Sequence, residues 1–224
     1  MNSEGNRALL LVGSPKAPGK SVSEALGSYV IEKMEARGWS SESIFIRASL
    51  QSDEGRAALL EGVKASDLII LSFPLYVDSL PAPVIRAMEL ISALCCKKNA
   101  RLAVIANSGF PEAQHNKVAM SICRRFAHAS GLEWVGGLAL GMGGALSAKR
   151  LEEQGGMVGK IIKALDLTVE ALVNGEPVPE EAIRLMAKPL LPGWMYTTIG
   201  NFGWRREAKR HGVRKKLGDR PYQR

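Results

Sequence analysis

Five short apolar runs alternate with segments of helical period, and that alternation restricts the fold more than any other feature of the chain. The runs are Arg7–Gly13, Ser43–Arg47, Asp67–Phe73, Arg101–Asn107 and Trp134–Gly141. Runs of this length, rich in Leu, Ile and Val, read as strands buried in a sheet. Helices fit Ser21–Arg37, a weaker segment at Asp53–Val63, then Pro81–Leu94, Gln114–Ser130 and Met157–Val173. The last carries Met157, Ile161, Ile162, Leu165, Val169, Leu172 and Val173 as one helical stripe. Alternation of this kind builds an open parallel sheet with helices on both faces. The expected fold is therefore α/β, a three-layer sandwich around a five-stranded parallel sheet of order 2-1-3-4-5. Ligands of such sheets bind outside the carboxyl ends of the strands, here at the switch between strands 1 and 3. Residues 1–175 make this domain, and residues 176–224 form a C-terminal helical arm with a basic tail.

The loop after the first strand reads Gly-Ser-Pro-Lys-Ala-Pro-Gly-Lys-Ser, Gly13 to Ser21. A strand, a Gly-rich turn and a helix put free backbone N–H groups at a helix start, which favours an anion. Lys16 and Lys20 add positive charge, and Ser14 and Ser21 add hydroxyls. The loop approaches the Gly-x-x-x-x-Gly-Lys-Ser pattern of nucleoside triphosphate sites but holds one residue too many. The third strand ends Ser72-Phe73-Pro74 and offers no Asp to help hold Mg²⁺. The expectation is a metal-free site for one terminal phosphate.

The topology gathers two further loops beside this one. Pro74-Leu-Tyr-Val-Asp-Ser-Leu-Pro-Ala-Pro83 follows strand 3, and Asn107-Ser-Gly-Phe-Pro-Glu112 follows strand 4. Together they border a flat, partly apolar slot next to an anion site, which suits FMN. At these residues the chain resembles the NAD(P)H-dependent FMN reductase family of the flavodoxin-like superfamily. The family pattern Gly-Ser-Pro-Arg-x-x-Gly-Asn-Thr matches Gly13 to Ser21, Pro-x-Tyr-x-x-x-x-Pro-Ala matches Pro74 to Ala82, and the third loop is similar too. The likeness spans roughly residues 7–173. Two departures stand out: Lys16 replaces the usual Arg and Lys20 the usual Asn, which keeps or adds charge but loses the guanidinium fork.

The resemblance implies a flavodoxin-like fold and an FMN-dependent oxidoreductase. It would take hydride from NADH or NADPH and pass electrons to a quinone, a nitro or azo compound, or free flavin. The chemistry is the cofactor's, so no catalytic side chain, metal or iron–sulfur cluster is expected. Ser14, Lys16, Lys20 and Ser21 are the expected phosphate contacts. Pro74, Leu75, Tyr76 and Val77 line the ribityl chain and ring, and Asn107, Ser108, Gly109 and Phe110 approach the ring edge. Gly109 is expected where backbone comes closest, because it lacks a Cβ. Asp78 and Glu112 border the site as loop caps, and His115, His128 and His211 carry no assigned role. Gly141–Gly144 helps close the site near a dimer interface. Two other readings stay open: a flavodoxin-like electron carrier without NAD(P)H turnover, and a flavin-free scaffold acting through the tail.

Charge and cysteine use bound the setting. Residues 201–224 hold nine Lys/Arg against two Asp/Glu, a net +7 of the chain's +8, so the basic character belongs to the tail. Leu190–Trp204 is apolar and aromatic, and Arg205–Lys216 is basic. The arm packs on a partner subunit, lies on an anionic membrane surface, or contacts nucleic acid without sequence preference. A homodimer acting on a small-molecule acceptor is expected, with no specific nucleic acid partner. Cys95, Cys96 and Cys123 form no disulfide framework. The N-terminal residues Met-Asn-Ser-Glu-Gly-Asn-Arg lack the pattern of a signal peptide. Both point to the cytoplasm.

Overall fold

The computed structural model describes residues 6–94 and 100–220; Cys95 and Cys96 lie outside the described residues. The sheet is built from β1 (Arg7–Val12), β2 (Ser40–Phe45), β3 (Leu68–Pro74), β4 (Arg101–Asn107) and β5 (Glu133–Leu140). All neighbours are parallel and the order is β2-β1-β3-β4-β5, as expected from the alternation. The helices are α1 (Val22–Glu35), α2 (Ile46–Ser49), α3 (Asp53–Ala65), α4 (Ala82–Ser92), α5 (Lys117–Ala129), α6 (Gly159–Val173), α7 (Glu180–Ala187) and α8 (Gly193–Arg210).

Alternate residues of each strand serve opposite faces. Leu10, Val12, Ile70 and Ile105 pack with Leu26, Val30, Leu165 and Val169, the inner faces of α1 and α6. Leu9, Leu11, Ile69, Leu71 and Val104 pack with Leu59, Val84, Met88 and Phe126, the inner faces of α3, α4 and α5. Because β1, β3 and β4 are covered on both sides, they read in sequence as unbroken apolar runs.

β2 is displaced from the expected span. It occupies Ser40–Phe45 instead of Ser43–Arg47, and Ile46–Ser49 turns into α2. As an edge strand it carries polar residues at Ser40–Ser43, which masked its start, while the buried Ile46 belongs to the following turn. The β4–β5 ladder shifts register between Leu102 and Ala103. The extra residue is Val135, and Gly136 follows at φ +120, a bulge that only glycine fits easily. A Cβ at Gly136 would lie 2.8 Å from Val178 Cβ. The bulge thus admits Val178, whose N–H donates to Val135 O at 2.7 Å. Beyond it, α7 buries Ala182 and Met186 in the α1/α6 core.

Compactness divides the chain between residues 190 and 191. The second unit carries α8 and a short turn at Arg214–Lys216. Within α8, Trp194, Ile199, Phe202 and Trp204 are exposed, and Arg205, Arg206, Lys209 and Arg210 follow them. No helix among the described residues is long and apolar enough to cross a membrane.

Candidate functional site

The first element of the site is the loop between β1 and α1. Gly13 N–H donates to Ser72 O at 2.7 Å, which ties the loop base to β3. A Cβ on Gly13 would sit 2.5 Å from Val84 Cγ2 and 2.7 Å from Phe73 Cβ, so strand and helix close over a backbone with no room for a side chain. Lys20 N–H donates to Ala17 O at 3.1 Å, and Gly19 turns the chain at φ +73. Ser21 is the N-cap of α1, accepting from Glu24 N–H at 3.1 Å. Glu24 reaches back so that both carboxylate oxygens accept from Gly19 N–H, at 2.9 and 2.7 Å. From the other side Arg47 Nη1 donates to Pro15 O at 2.7 Å. The loop is therefore held by its own chain at three points. Ser14 and Ser21 are buried, and Lys16 and Lys20 are exposed. The N–H groups of Val22 and Ser23 lie at the helix start, where no intrahelical acceptor exists.

The second loop leaves β3 at Pro74. Leu75 is buried, and its N–H donates to Asn107 O at 2.7 Å, joining the second and third loops. Tyr76 and Ser79 exchange two backbone hydrogen bonds, at 2.9 and 3.0 Å. Val77 and Asp78 between them have φ of 50° and 55°, a tight turn with both central residues left-handed. A β-branched residue pays for that conformation, and Val77 is 99 % exposed, so packing within the chain does not repay it. Tyr76 beside it is 43 % exposed.

The third loop divides its labour. The buried Asn107 amide donates to Ser23 Oγ at 2.7 Å and to Phe73 O at 3.2 Å, bracing β4 against α1 and β3. The side chain expected at a ring edge is thus engaged inside the fold. Ser108 is buried too. Its N–H donates to Leu140 O at 2.9 Å, and its carbonyl accepts from Gly143 N–H at 2.7 Å, which brings the Gly141–Gly144 loop alongside. Asn116 Nδ2 lies 3.4 Å from Ser108 Oγ. Gly109 and Phe110 are exposed, and space around Gly109 is open: no atom lies within 4 Å of where its Cβ would be. Phe110 stacks on His115 with ring centroids 4.2 Å apart. The His115 ring nitrogens in turn sit 3.6 Å from Asp78 and 3.7 Å from Glu112. His115 therefore links the second and third loops beneath Phe110, a position that its sequence context signals only through the Glu112-x-x-His115 spacing. Arg47 carries no sequence signal beyond its place at the end of an apolar run.

The twelve expected residues thus fall into three groups. Ser14, Lys16, Lys20 and Ser21 surround a helix start, and Tyr76, Val77, Gly109 and Phe110 present an exposed, mostly apolar rim above β3 and β4. Pro74, Leu75, Asn107 and Ser108 build the base that holds the rim. Cationic loop, buried hydroxyls and apolar rim are compatible with a flavin mononucleotide, whose phosphate and ring need opposite surroundings. Among the described residues no group of three or more His, Cys, Asp or Glu is arranged to hold a metal ion.

Solved structures share this architecture. RosB with bound 8-demethyl-8-formylriboflavin-5'-phosphate aligns over 98% of this chain and 91% of its own, at 13% identity and a TM-score of 0.60. The apo form of the NADH:FMN oxidoreductase EmoB covers 84% of this chain and 96% of its own, at 13% identity and a TM-score of 0.58. An FMN-dependent NADH-azoreductase from Bacillus anthracis, in complex with FMN, covers 75% of this chain and all of its own, at 14% identity and a TM-score of 0.54. At such identities the likeness establishes a flavodoxin-like fold. No curated protein matches the chain in sequence. The NADPH-dependent FMN reductase family model matches residues 6–135, which span β1 through the start of β5 and all three loops. With that match over more than half of its length, the chain belongs to the NADPH-dependent FMN reductase family of oxidoreductases.

Proposed function

We propose that the protein binds FMN at the three loops, takes hydride from NADH or NADPH, and passes the electrons to a small acceptor: a quinone, a nitro or azo compound, or free flavin. The observation that carries this reading is the juxtaposition at the β1/β3 switch point of a cationic helix start with the exposed Tyr76–Val77–Phe110 rim. FMN, when bound, supplies a two-electron carrier that accepts hydride and releases its electrons to the acceptor. The chain's own residues position and shield. Lys16 and Lys20 neutralise a phosphate dianion, while Ser14, Ser21 and the first-turn N–H groups of α1 donate to it. The backbone of Leu75–Val77 and of Gly109–Phe110 borders the ring, and Tyr76, Val77 and Phe110 keep water from one face.

The reading is tested by the visible spectrum of the purified protein after adding FMN and removing the excess, followed by stopped-flow mixing with NADH and NADPH. Retention of about one FMN per chain and rapid bleaching near 450 nm by either nucleotide are expected of a flavin reductase. Retention without bleaching identifies an electron carrier, and no retention at high FMN ends the flavin reading.

The reading extends to a cytoplasmic homodimer. An open groove of about 730 Å³ between α4 and α5 is lined by Leu80, Ile85, Val118, Ile122 and Phe126. Ile85, Val118 and Ile122 are exposed, and Glu89 and Arg125 border the same groove with opposite charge. On this reading a two-fold axis would set Glu89 of each copy, which accepts from Arg86 of its own chain at 2.8 Å, near Arg125 of the other, the self-complementarity an isologous contact requires. Ile122→Glu is expected to halve the mass measured by light scattering; an unchanged dimer mass places the contact elsewhere.

A further inference from the structure

We propose that His115 is a positioning residue for the flavin rim and acts through its charge: as an imidazolium it ties the second loop to the third beneath Phe110, and in that state the site holds flavin more tightly. The inference rests on the flavin reading of the site. His115 Nδ1 lies 3.6 Å from an Asp78 oxygen, and Nε2 lies 3.7 Å from a Glu112 oxygen. Each ring nitrogen thus faces a carboxylate, one from each loop. A neutral imidazole has one N–H and one lone pair, so one of its nitrogens turns a lone pair toward an anion. The imidazolium has two N–H groups and serves both. At these separations the contacts are ion pairs rather than hydrogen bonds, and charge is what strengthens them. The third contact responds in the same direction. Phe110 stacks on the His115 ring with centroids 4.2 Å apart and planes 24° apart, and a cation over a phenyl face is attracted to it.

The second loop gives this contact something to hold. The bond from Leu75 N–H to Asn107 O ties the base of that loop. Its tip is the turn with Val77 at φ 50° and Asp78 at φ 55°. That conformation is costly for a valine, and Asp78, at the same tip, is where the turn meets His115. Without the proton, Asp78 and Glu112 face one ring with no cation between them and repel each other, which loosens the tip. Tyr76 and Phe110, the aromatic residues of the rim, belong to the two loops so joined. The turn Ala113–Asn116 that carries His115 packs on β4, β5 and α5. Asn107 and Leu140, at the ends of the two strands, are uncharged, and the charged side chain of α5 nearest in sequence is the exposed Lys117. Among the described residues His115 pairs with Asp78 and Glu112 alone.

The test compares the full chain with two variants between about pH 5.5 and about pH 8.5, a range across which histidine changes charge. His115→Gln removes the titrating ring and keeps a polar side chain. His115→Arg keeps a planar cation at every pH. FMN dissociation constants are read from the quenching of flavin fluorescence. The FMN phosphate gains its second charge near about pH 6, which works in the opposite direction; it is common to all three proteins, so their ratios isolate the side chain. At the acid end His115→Gln is expected to bind FMN about threefold to tenfold more weakly than the wild type, the scale of two half-exposed ion pairs. At the alkaline end the two should bind alike, and His115→Arg should bind more tightly than either. In the flavin-free protein the backbone amide signals of Val77, Asp78 and Ser79 should move across the same range in the wild type and stay still in His115→Gln. A ratio of wild type to His115→Gln that is the same at both ends overturns the proposal, as do amides that ignore pH or a His115→Arg variant no tighter than His115→Gln. Amides that follow pH in a protein that takes up no FMN keep the joint between the loops and remove the flavin reading instead.

Discussion

Replacing Gly13 by Ala tests how tightly the fold closes beneath the β1 loop. The new Cβ would lie 2.5 Å from Val84 Cγ2 and 2.7 Å from Phe73 Cβ. Carbon atoms in contact normally stand about 3.5–4.0 Å apart, so both approaches are about 1 Å too short. The two neighbours differ in what they can yield. Val84 is β-branched and sits in a helix, where about nine in ten valines hold one χ1 rotamer. Phe73 Cβ is fixed to β3, and the loop itself is tied to β3 by the 2.7 Å bond from Gly13 N–H to Ser72 O. Relief therefore means moving α4 or breaking that bond. Overpacking of this kind costs about 1–3 kcal/mol, and two clashes, one against a Cβ that cannot move without its strand, put Gly13→Ala at about 2–3 kcal/mol. Urea denaturation followed by circular dichroism measures it, and in a domain of this size each kcal/mol lowers the melting temperature by about 2–4 °C. Val84→Ala removes one of the two clashing atoms, so the double variant should lose at least about 1 kcal/mol less than the sum of the single losses. Strict additivity, within about 0.5 kcal/mol, or a neutral Gly13→Ala, refutes the claim that these contacts close the loop.

Three further outcomes follow from particular residues. Val77→Asn should stabilise the protein by about 1 kcal/mol, since Asn tolerates the left-handed region and the exposed Val77 side chain gives up no packing; a lower melting temperature counts against strain at this turn. Asn107→Ala should cost about 2–3 kcal/mol by leaving Ser23 Oγ and Phe73 O without their donor, and it should weaken flavin retention by loosening the third loop; unchanged urea midpoints would show that the brace is dispensable. Burial pushes the Cys123 thiol up to about 12. An unfolded cysteine ionises near pH 8.5, so above that pH the unfolded chain sheds a proton that the native state keeps. Stability is unaffected by this group below about pH 8.5 and falls by about 1.4 kcal/mol per pH unit above it. Cys123→Ala should lose less stability between pH 8 and pH 10 than the wild type does; parallel losses would mean the thiol does not contribute.

How much of the molecule was legible in sequence depended on where each residue finds its partners. β1, β3 and β4 are buried on both faces, so their apolar runs were readable and the strand order followed from them. β2 was read three residues late because an edge strand keeps polar residues where a central one does not. The Gly13–Ser21 loop was readable because its geometry is local: turn, cap and lysines lie within nine residues. The distribution of tasks inside the site was not. Asn107 meets Ser23 across 84 positions of sequence and Arg47 meets Pro15 across 32, and no periodicity announces either pairing. What separates the two sets of polar residues is satisfaction. Ser23, Asn107 and Asn116 are buried, and both asparagine amide nitrogens donate inside the chain, which holds the loops in register, although Asn116 Oδ1 is buried without a partner among the described residues. Lys16, Lys20 and Arg47 are exposed beside the same loop and make no ion pair among the described residues. Burying a polar group without a partner is costly, whereas exposed cations gathered beside one loop repel one another unless an anion joins them. On the proposed reading the first set frames the site and the second meets its ligand, and the two are told apart only once the chain is folded.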